Sequence, residues 1–288
     1  MNNTDYRTPL EFGTFITPAA SSPRRVVDLA VASDRSGLDL VTFQDHPYQP
    51  AFLDTWTLMS YVAARTDTVQ ISGNVHSLPL RPPAVLARAA ASLDLLSEGR
   101  AMLALGAGAF WDALVAMGVP RLTSGESVSA LTEAIAIIRD IWDTDQRSSM
   151  HHDGEFYQVT GAKRGPRPAH PIPIVLGAYK PRMLKLVGTT ADGWLPSLAY
   201  LESLEALTDA NARIDDAATA AGREPSSIRR MLNIPPDVAQ PAILGSLVLD
   251  YGISTFILAS DDEGTIKDFG LNVAPAVRDL VAAERGIR

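Results

Sequence analysis

The sequence predicts an α/β protein, a parallel (β/α)8 TIM barrel taking in residues 1–288 as one domain, with residues 1–9 as a loose tail. Three observations predict it. Eight short apolar runs are each followed by an amphipathic stretch. Glycines or Asp-Gly pairs stand between helices and the strands that follow. Polar, small and aromatic residues gather where strands end, the place where parallel α/β folds keep their active sites. A doubly wound open sheet is the competing architecture, but its first βα turn would be glycine-rich. Here the first strand runs into Thr17-Pro18-Ala19-Ala20-Ser21-Ser22-Pro23.

The first strand is Phe12–Ile16, and the helix Pro23–Ser36 after it stops at Gly37. Leu38–Phe43 is the second strand, ending in Gln44-Asp45-His46-Pro47-Tyr48, and Asp54–Arg65 the second helix. The third strand, Val69–Gly73, runs into Asn74-Val75-His76. Pro82 and Pro83 suit a helix entrance, where a missing N–H costs nothing. That helix, Pro83–Ser97, ends at Gly99, where a stop needs tolerance of positive φ. Ala101–Leu105 is the fourth strand and opens into Gly106-Ala107-Gly108-Ala109-Phe110-Trp111 before a helix over Glu126–Trp142. Asp143–Pro171 breaks the rhythm and holds a β-like piece, Glu155–Val159. A loop that long is usually functional, and it reads as an excursion over the barrel mouth. Ile172–Leu176 leads through Gly177-Ala178-Tyr179-Lys180 to the helix Pro181–Thr190. Strands Gly193–Pro196, Ile228–Ile234 and Thr255–Ala259 follow, with helices Leu201–Ala221, Pro241–Tyr251 and Asp262–Ala283.

Bulk properties exclude several functions. A net charge of −8 is the wrong sign for a nucleic-acid footprint. No apolar run reaches the roughly 18 residues of a membrane span. The first residues lack the basic and apolar regions of a signal peptide, so a cytoplasmic address is expected. With 0 cysteines there is no disulfide, thiol nucleophile or Cys-based metal site. There is no Gly-x-Ser-x-Gly elbow and no paired-carboxylate arrangement at strand ends. His151-His152-Asp153 with Glu155 reads as a solvated polar loop, and no metal is expected.

Four loops carry the candidate chemistry. Asp45 and His46 at a strand end can supply a proton donor, or a cation facing developing negative charge, with Tyr48 beside them. The alternative is a turn in which Asp45 caps a backbone N–H and His46 packs. Gly73, Asn74, Val75 and His76 form a strand exit of the kind that marks a bulge or a close ligand. Gly106, Ala107 and Gly108 followed by Phe110 and Trp111 suit a flat ring laid on backbone, or a glycine turn with core aromatics. The third glycine of a dinucleotide fingerprint is replaced by Trp111. Gly177, Ala178, Tyr179 and Lys180 open a helix whose free N–H groups make a phosphate site, or form a plain βα loop.

Together these loops resemble the luciferase-like monooxygenase superfamily, in particular its branch of coenzyme F420-dependent oxidoreductases. The matching stretches are Leu40–Tyr48, Leu80–Arg88, Leu93–Arg100, Pro171–Ala178 and Ala191–Trp194. The resemblance implies a barrel holding a flavin or deazaflavin at its carboxyl-terminal mouth. It also implies a non-prolyl cis peptide at Asn74-Val75 under the ring, a phosphate site at Gly177–Lys180, and His46 beside the reactive ring as the catalytic residue. Asp45, Gly73, His76 and Gly106–Gly108 fall with the cofactor; Tyr48, Phe110 and Trp111 fall in the substrate pocket. Relatives that oxidise a sugar phosphate carry a glutamate where Ala109 stands, which argues against that substrate. Between Ile234 and Pro241 the chain is short for the family.

The expected activity is hydride transfer between F420 and an organic small molecule, reduction of an activated C=C or C=N bond ahead of alcohol oxidation. The alternatives are an FMN-dependent monooxygenase and a non-catalytic flavin-binding barrel. A homodimer is expected, with no nucleic-acid or membrane partner.

Overall fold

The computed structural model describes residues 5–286. The strands are β1 (Glu11–Ile16), β2 (Leu40–Phe43), β3 (Gln70–Gly73), β4 (His76–Ser77), β5 (Leu103–Gly106), β6 (Met150–Asp153), β7 (Gln158–Ala162), β8 (Ile174–Leu176), β9 (Gly193–Trp194), β10 (Arg229–Ile234) and β11 (Thr255–Ala259). The helices are α1 (Pro23–Arg35), α2 (Thr55–Ala63), α3 (Pro83–Leu96), α4 (Trp111–Ala116), α5 (Ser124–Trp142), α6 (Pro181–Thr190), α7 (Glu205–Ala220), α8 (Pro241–Tyr251), α9 (Glu263–Asp268) and α10 (Ala274–Glu284).

Nine strands form one sheet in the order β3-β2-β1-β11-β10-β9-β8-β5-β4, every pair in it parallel. The ring closes where Ile71 bridges Ala101: Ile71 N–H donates to the Arg100 carbonyl at 2.8 Å, and Met102 N–H to the Ile71 carbonyl at 3.1 Å. Each of the eight expected strands is present at its place in the ring, with β4 as a short extra strand laid against the end of β5. The alternation along the strands explains the two cores. Leu40, Met102, Ala104, Val175, Met231 and Ile257 point into the barrel and fill it, topped by Phe15 and Val75. Their neighbours Val41, Leu103, Leu105, Ile174, Leu176, Leu232 and Leu258 point outward under the helices.

Local chemistry sets several element ends. The Asp54 carboxylate caps α2 by accepting from Thr57 N–H at 2.9 Å, and Thr123 with Glu126 forms a reciprocal capping box on α5. The last expected helix is interrupted by a wide turn at Phe269–Val273, where Pro275 lacks the N–H that would close on the Leu271 carbonyl. The peptide bond between Asn74 and Val75 is cis.

Three expectations need correction. The Asp143–Pro171 excursion does not cover the mouth. It folds into the β6–β7 hairpin on the outer flank, where the Glu133 carboxylate on α5 accepts the N–H groups of Glu155, Phe156 and Tyr157, and Arg88 on α3 reaches the carbonyls of Lys163 and Gly165. Topology forces this: the segment joins a helix end to the amino end of β8, on the barrel face opposite the strand carboxyl ends. The β-like piece Glu155–Val159 is mostly the hairpin's turn, with the second strand beginning at Gln158. Of the expected tail, residues 1–4 lie outside the described residues, while Asp5 pairs with Arg285 at 2.6 Å and Tyr6 donates its hydroxyl to Asp215 at 2.7 Å.

Candidate active site

Residues of β1, β4 and β10 and the loops after β2, β3, β5, β8 and β9 line one cavity of about 720 Å³ at the carboxyl ends of the strands. Small-molecule sites span roughly 300–1,000 Å³. Its floor is the top of the barrel interior, where Phe15, Val75 and Leu195 close off the core. Beside them Asn74 and Asn233 exchange amide hydrogen bonds, Asn74 Nδ2 to Asn233 Oδ1 at 2.7 Å and the reverse at 3.1 Å. Asn74 Nδ2 also donates to Thr42 Oγ1 at 3.1 Å. The bulge carrying the cis peptide is thereby tied to β2 and to β10.

Asp45 lines the cavity, but its carboxylate is taken up by protein partners. Its carboxylate accepts from Ser77 N–H at 3.0 Å and from Arg81 Nε and Nη2 at 3.1 and 2.7 Å, and lies 3.4 Å from His76 Nδ1. Burial would raise its pKa, but the hydrogen bonds from His76 and Arg81 and the Arg81 charge outweigh burial and hold the carboxyl well below the usual carboxylate range. His76 is equally enclosed. Its Nε2 accepts the Gly73 N–H at 3.2 Å, which puts the ring proton on Nδ1 toward Asp45, and its ring stacks on Trp56 at 4.7 Å. The sequence placed Asp45, Gly73 and His76 with the cofactor; Asp45 and His76 do line the cavity, with their side chains bonded into the surrounding protein. Gly73 must be glycine because a Cβ there would sit 2.6 Å from His76 Cε1.

His46 is the group left over. Its imidazole makes no hydrogen bond to protein among the described residues and faces the cavity, stacked on Tyr48 at 5.1 Å and edge-on to Phe110 at 5.5 Å. Burial lowers its pKa below the ordinary histidine value, and the Asp45 charge only partly opposes this.

Gly106, Ala107, Gly108, Gly177, Ala178, Tyr179 and Lys180 all line the cavity. A Cβ on Gly106 would meet Val75 Cγ2 at 2.9 Å and one on Gly177 the same methyl at 3.3 Å, so these two glycines make room for Val75. The backbone N–H groups of Ala178, Tyr179 and Lys180 donate to no protein acceptor among the described residues, and the helix start of α6 follows them. That is the donor set and dipole end that anions seek. Tyr48 and Phe110 line the mouth, whereas Trp111 lies outside it, packed against Gly108 at the start of α4. Sequence reasoning missed Phe15, Leu195, Tyr200, Asn233 and Arg81. Strand alternation could have turned Phe15 and Asn233 inward; nothing in the short turn Leu198–Tyr200 marks Tyr200.

Among the described residues no helix is long and apolar enough to cross a membrane, and no group of three or more His, Cys, Asp or Glu side chains could hold a metal.

A profile described as luciferase-like monooxygenase matches residues 6–242. The chain is 32% identical over 219 residues to an F420-dependent glucose-6-phosphate dehydrogenase of Amycolatopsis mediterranei, a match covering 74% of this chain and 64% of the relative. It is 32% identical over 237 residues to the protein of that name from Kineococcus radiotolerans, covering 78% and 67%. It thus spans about two thirds of the length of these relatives. Among solved structures, an F420-dependent secondary alcohol dehydrogenase in complex with an F420-acetone adduct superposes with a TM-score of 0.81 at 19% identity, covering 94% of this chain and 100% of that one. The coenzyme F420-dependent tetrahydromethanopterin reductase of Methanopyrus kandleri gives 0.77 at 16%, covering 93% and 99%. At such identities the likeness is one of fold.

Proposed function

The chain belongs to the luciferase-like monooxygenase family, and from that premise we propose that it transfers a hydride between deazaflavin coenzyme F420 and an organic small molecule. One observation carries the reading: one cavity holds both a helix start with N–H groups unpartnered among the described residues and an imidazole with no protein partner among them. When bound, F420 supplies the ring that accepts or gives the hydride. The residues present fit it. The N–H groups of Ala178 to Lys180, with the Lys180 ammonium, suit its phosphate, and the apolar floor of Phe15, Val75 and Leu195 suits a flat ring. The wall of Asp45, His76 and Arg81 keeps that floor in place.

His46 handles the proton. As a neutral base it accepts one, which supports oxidation of an alcohol. Reduction of an activated C=C or C=N bond, the direction favoured on sequence, is the second reading; it draws its proton from an imidazolium that burial disfavours. The relatives' name suggests a sugar phosphate, but Ala109 stands where a glutamate is implied for that substrate. The carboxylate of Asp45, the one Asp or Glu lining the cavity, is already engaged. We further propose a cytoplasmic homodimer.

Titrating apoprotein with F420 and separately with FMN, read by ligand fluorescence, tests the reading. F420 is expected to bind at least about tenfold tighter, a difference of about 1.4 kcal/mol. Preference for FMN, with oxygen uptake on admitting air after anaerobic reduction, would instead identify a monooxygenase. Tight binding without turnover of any alcohol or activated double bond would leave a non-catalytic barrel.

A further inference from the structure

We propose that Trp194 is a positioning residue for the cofactor phosphate: it holds the Ala178 carbonyl and thereby aims the Tyr179 N–H at the ligand. The proposal rests on the F420 reading above. Trp194 ends β9 and is fully buried. Register pairs it with the outward-facing Leu176, while its neighbour Gly193 pairs with the inward-facing Val175. The indole therefore stands outside the barrel wall, in the apolar layer it shares with Leu184 and Val187 of α6. A phenylalanine would fill such a layer with no polar atom to satisfy. Trp194 brings an N–H into it, and that N–H has one partner: Nε1 donates to the Ala178 carbonyl at 2.8 Å.

Peptide geometry connects that bond to the ligand. The Ala178 carbonyl and the Tyr179 N–H belong to one planar unit, and it is trans, the cis bonds among the described residues being Asn74-Val75 and Gly165-Pro166. In a trans unit the two groups point opposite ways. A carbonyl drawn outward to Trp194 sends the Tyr179 N–H back over the barrel, where Ala178, Tyr179 and Lys180 line the cavity. There it meets no protein acceptor among the described residues. The rest of the loop is held at other points. Gly177 N–H donates to the Leu105 carbonyl at 3.1 Å, Leu184 N–H to the Lys180 carbonyl at 3.0 Å, and Ser197 N–H to the Tyr179 hydroxyl at 2.8 Å. None of these bonds engages the peptide between Ala178 and Tyr179, so among the described residues Trp194 alone fixes its direction. Without the indole N–H a buried carbonyl is stranded, and the peptide turns to relieve it, carrying the Tyr179 N–H out of line.

The test titrates apoprotein with three ligands that share one ring: F420, the deazaflavin riboside, and the riboside 5′-phosphate. Binding is read by ligand fluorescence. Native protein is expected to favour the 5′-phosphate over the riboside by at least about tenfold, the effect of one hydrogen bond to a charged group. Trp194→Phe should weaken F420 and the 5′-phosphate by a similar factor and the riboside by less than about twofold. Trp194→benzothienylalanine keeps the bicyclic shape and carries sulfur in place of the N–H, so it should show the same selective loss. Thermal unfolding establishes that each variant is folded, and if Trp194→Phe is not, the isostere alone decides. No loss in the isostere, or equal weakening of all three ligands, would make Trp194 a packing residue and overturn the proposal. Equal affinity of the native protein for the riboside and its phosphate would overturn it too, by placing the phosphate away from this loop. Both results leave the F420 reading intact, whereas failure of the native protein to bind any of the three would overturn both.

Discussion

Asp45→Asn keeps the shape of the side chain and removes its charge, and the structure sets the size of the effect. The carboxylate accepts from Ser77 N–H at 3.0 Å and from two Arg81 nitrogens at 3.1 and 2.7 Å, all surrounding a residue 1% exposed. An asparagine turns one acceptor into an NH2 that must face one of these donors. Removing one member of a buried pair costs about 3–5 kcal/mol because the other charge is left uncompensated. Arg81 keeps 17% of its side chain in contact with water and has Asp54 at 3.7 Å as a second partner, which places the loss near the low end, about 3 kcal/mol. A domain has only about 5–15 kcal/mol in all, so denaturant unfolding at neutral pH should show it clearly. The pH dependence has a definite sign. The folded-state pKa of Asp45 lies below the ordinary 3.8, so its contribution is complete above that value and is lost as pH falls through the folded one. The gap between native protein and variant should therefore persist at pH 5 and narrow only below about pH 4. A stability change under about 0.5 kcal/mol, of the size surface substitutions give, together with a large loss of F420 affinity, would refute this account and return Asp45 to the cofactor.

The remaining predictions concern residues that touch the cavity. His46→Ala should lower kcat at least about tenfold, general bases typically contributing about 10²–10⁴. The native acid limb of kcat/KM should lie below the ordinary histidine value of 6.5 and vanish in the variant; His151→Ala, on the outer hairpin, should do far less, and equal small effects would make His46 a packing residue. Gly177→Val should weaken F420 binding, and because its Cβ would lie 3.3 Å from a Val75 methyl, adding Val75→Ala tells two causes apart. Recovery in the double variant means that the loss ran through the displaced bulge; no recovery means that phosphate contact itself was lost, and an unchanged Gly177→Val places the phosphate elsewhere. Asn233→Ala strands the Asn74 amide and should cost about 1–3 kcal/mol of stability, read by thermal unfolding; no change would show Thr42 alone sufficient to hold it.

The barrel was legible because its signals are local and repeated. Inward Leu40, Met231 and Ile257 alternate with outward Val41, Leu232 and Leu258 inside single strands, and Gly37, Gly99 and Gly252 stop helices at positive φ within the described chain. The cavity-lining loops were legible for the same reason, since a strand's carboxyl end is a position along the chain. What was not legible is direction in space. Nothing local distinguishes a long segment that crosses the mouth from one that hugs α5, and only the connectivity from helix end to strand start places the β6–β7 hairpin outside. Trp111 follows Phe110 directly, yet one ring lines the mouth and the other packs on Gly108, a split set by the left-handed turn at Phe110.

The same limit explains the assignment of the polar residues. Asp45, His46 and His76 look alike as candidates in the sequence, because each is an ionisable group at a strand end. Their roles separate only when partners are counted across the ring: Arg81 and Ser77 lie 36 and 32 residues from Asp45 and reach it from the next βα loop. Asp45 and His76 are engaged there with each other and with protein partners. They fix Gly73 and, through the following residues, the Asn74-Val75 bulge that makes the cavity floor. A buried, fully bonded carboxylate also leaves its neighbour close to a negative charge yet without a hydrogen bond to it. That leaves His46 to burial, which lowers its pKa against the pull of Asp45 and keeps a lone pair available. Two consecutive residues thus divide the labour, the Asp45 carboxylate bonded to Arg81, Ser77 and His76 and the His46 imidazole without a hydrogen bond to protein among the described residues, which supports the proposal that His46 accepts the proton.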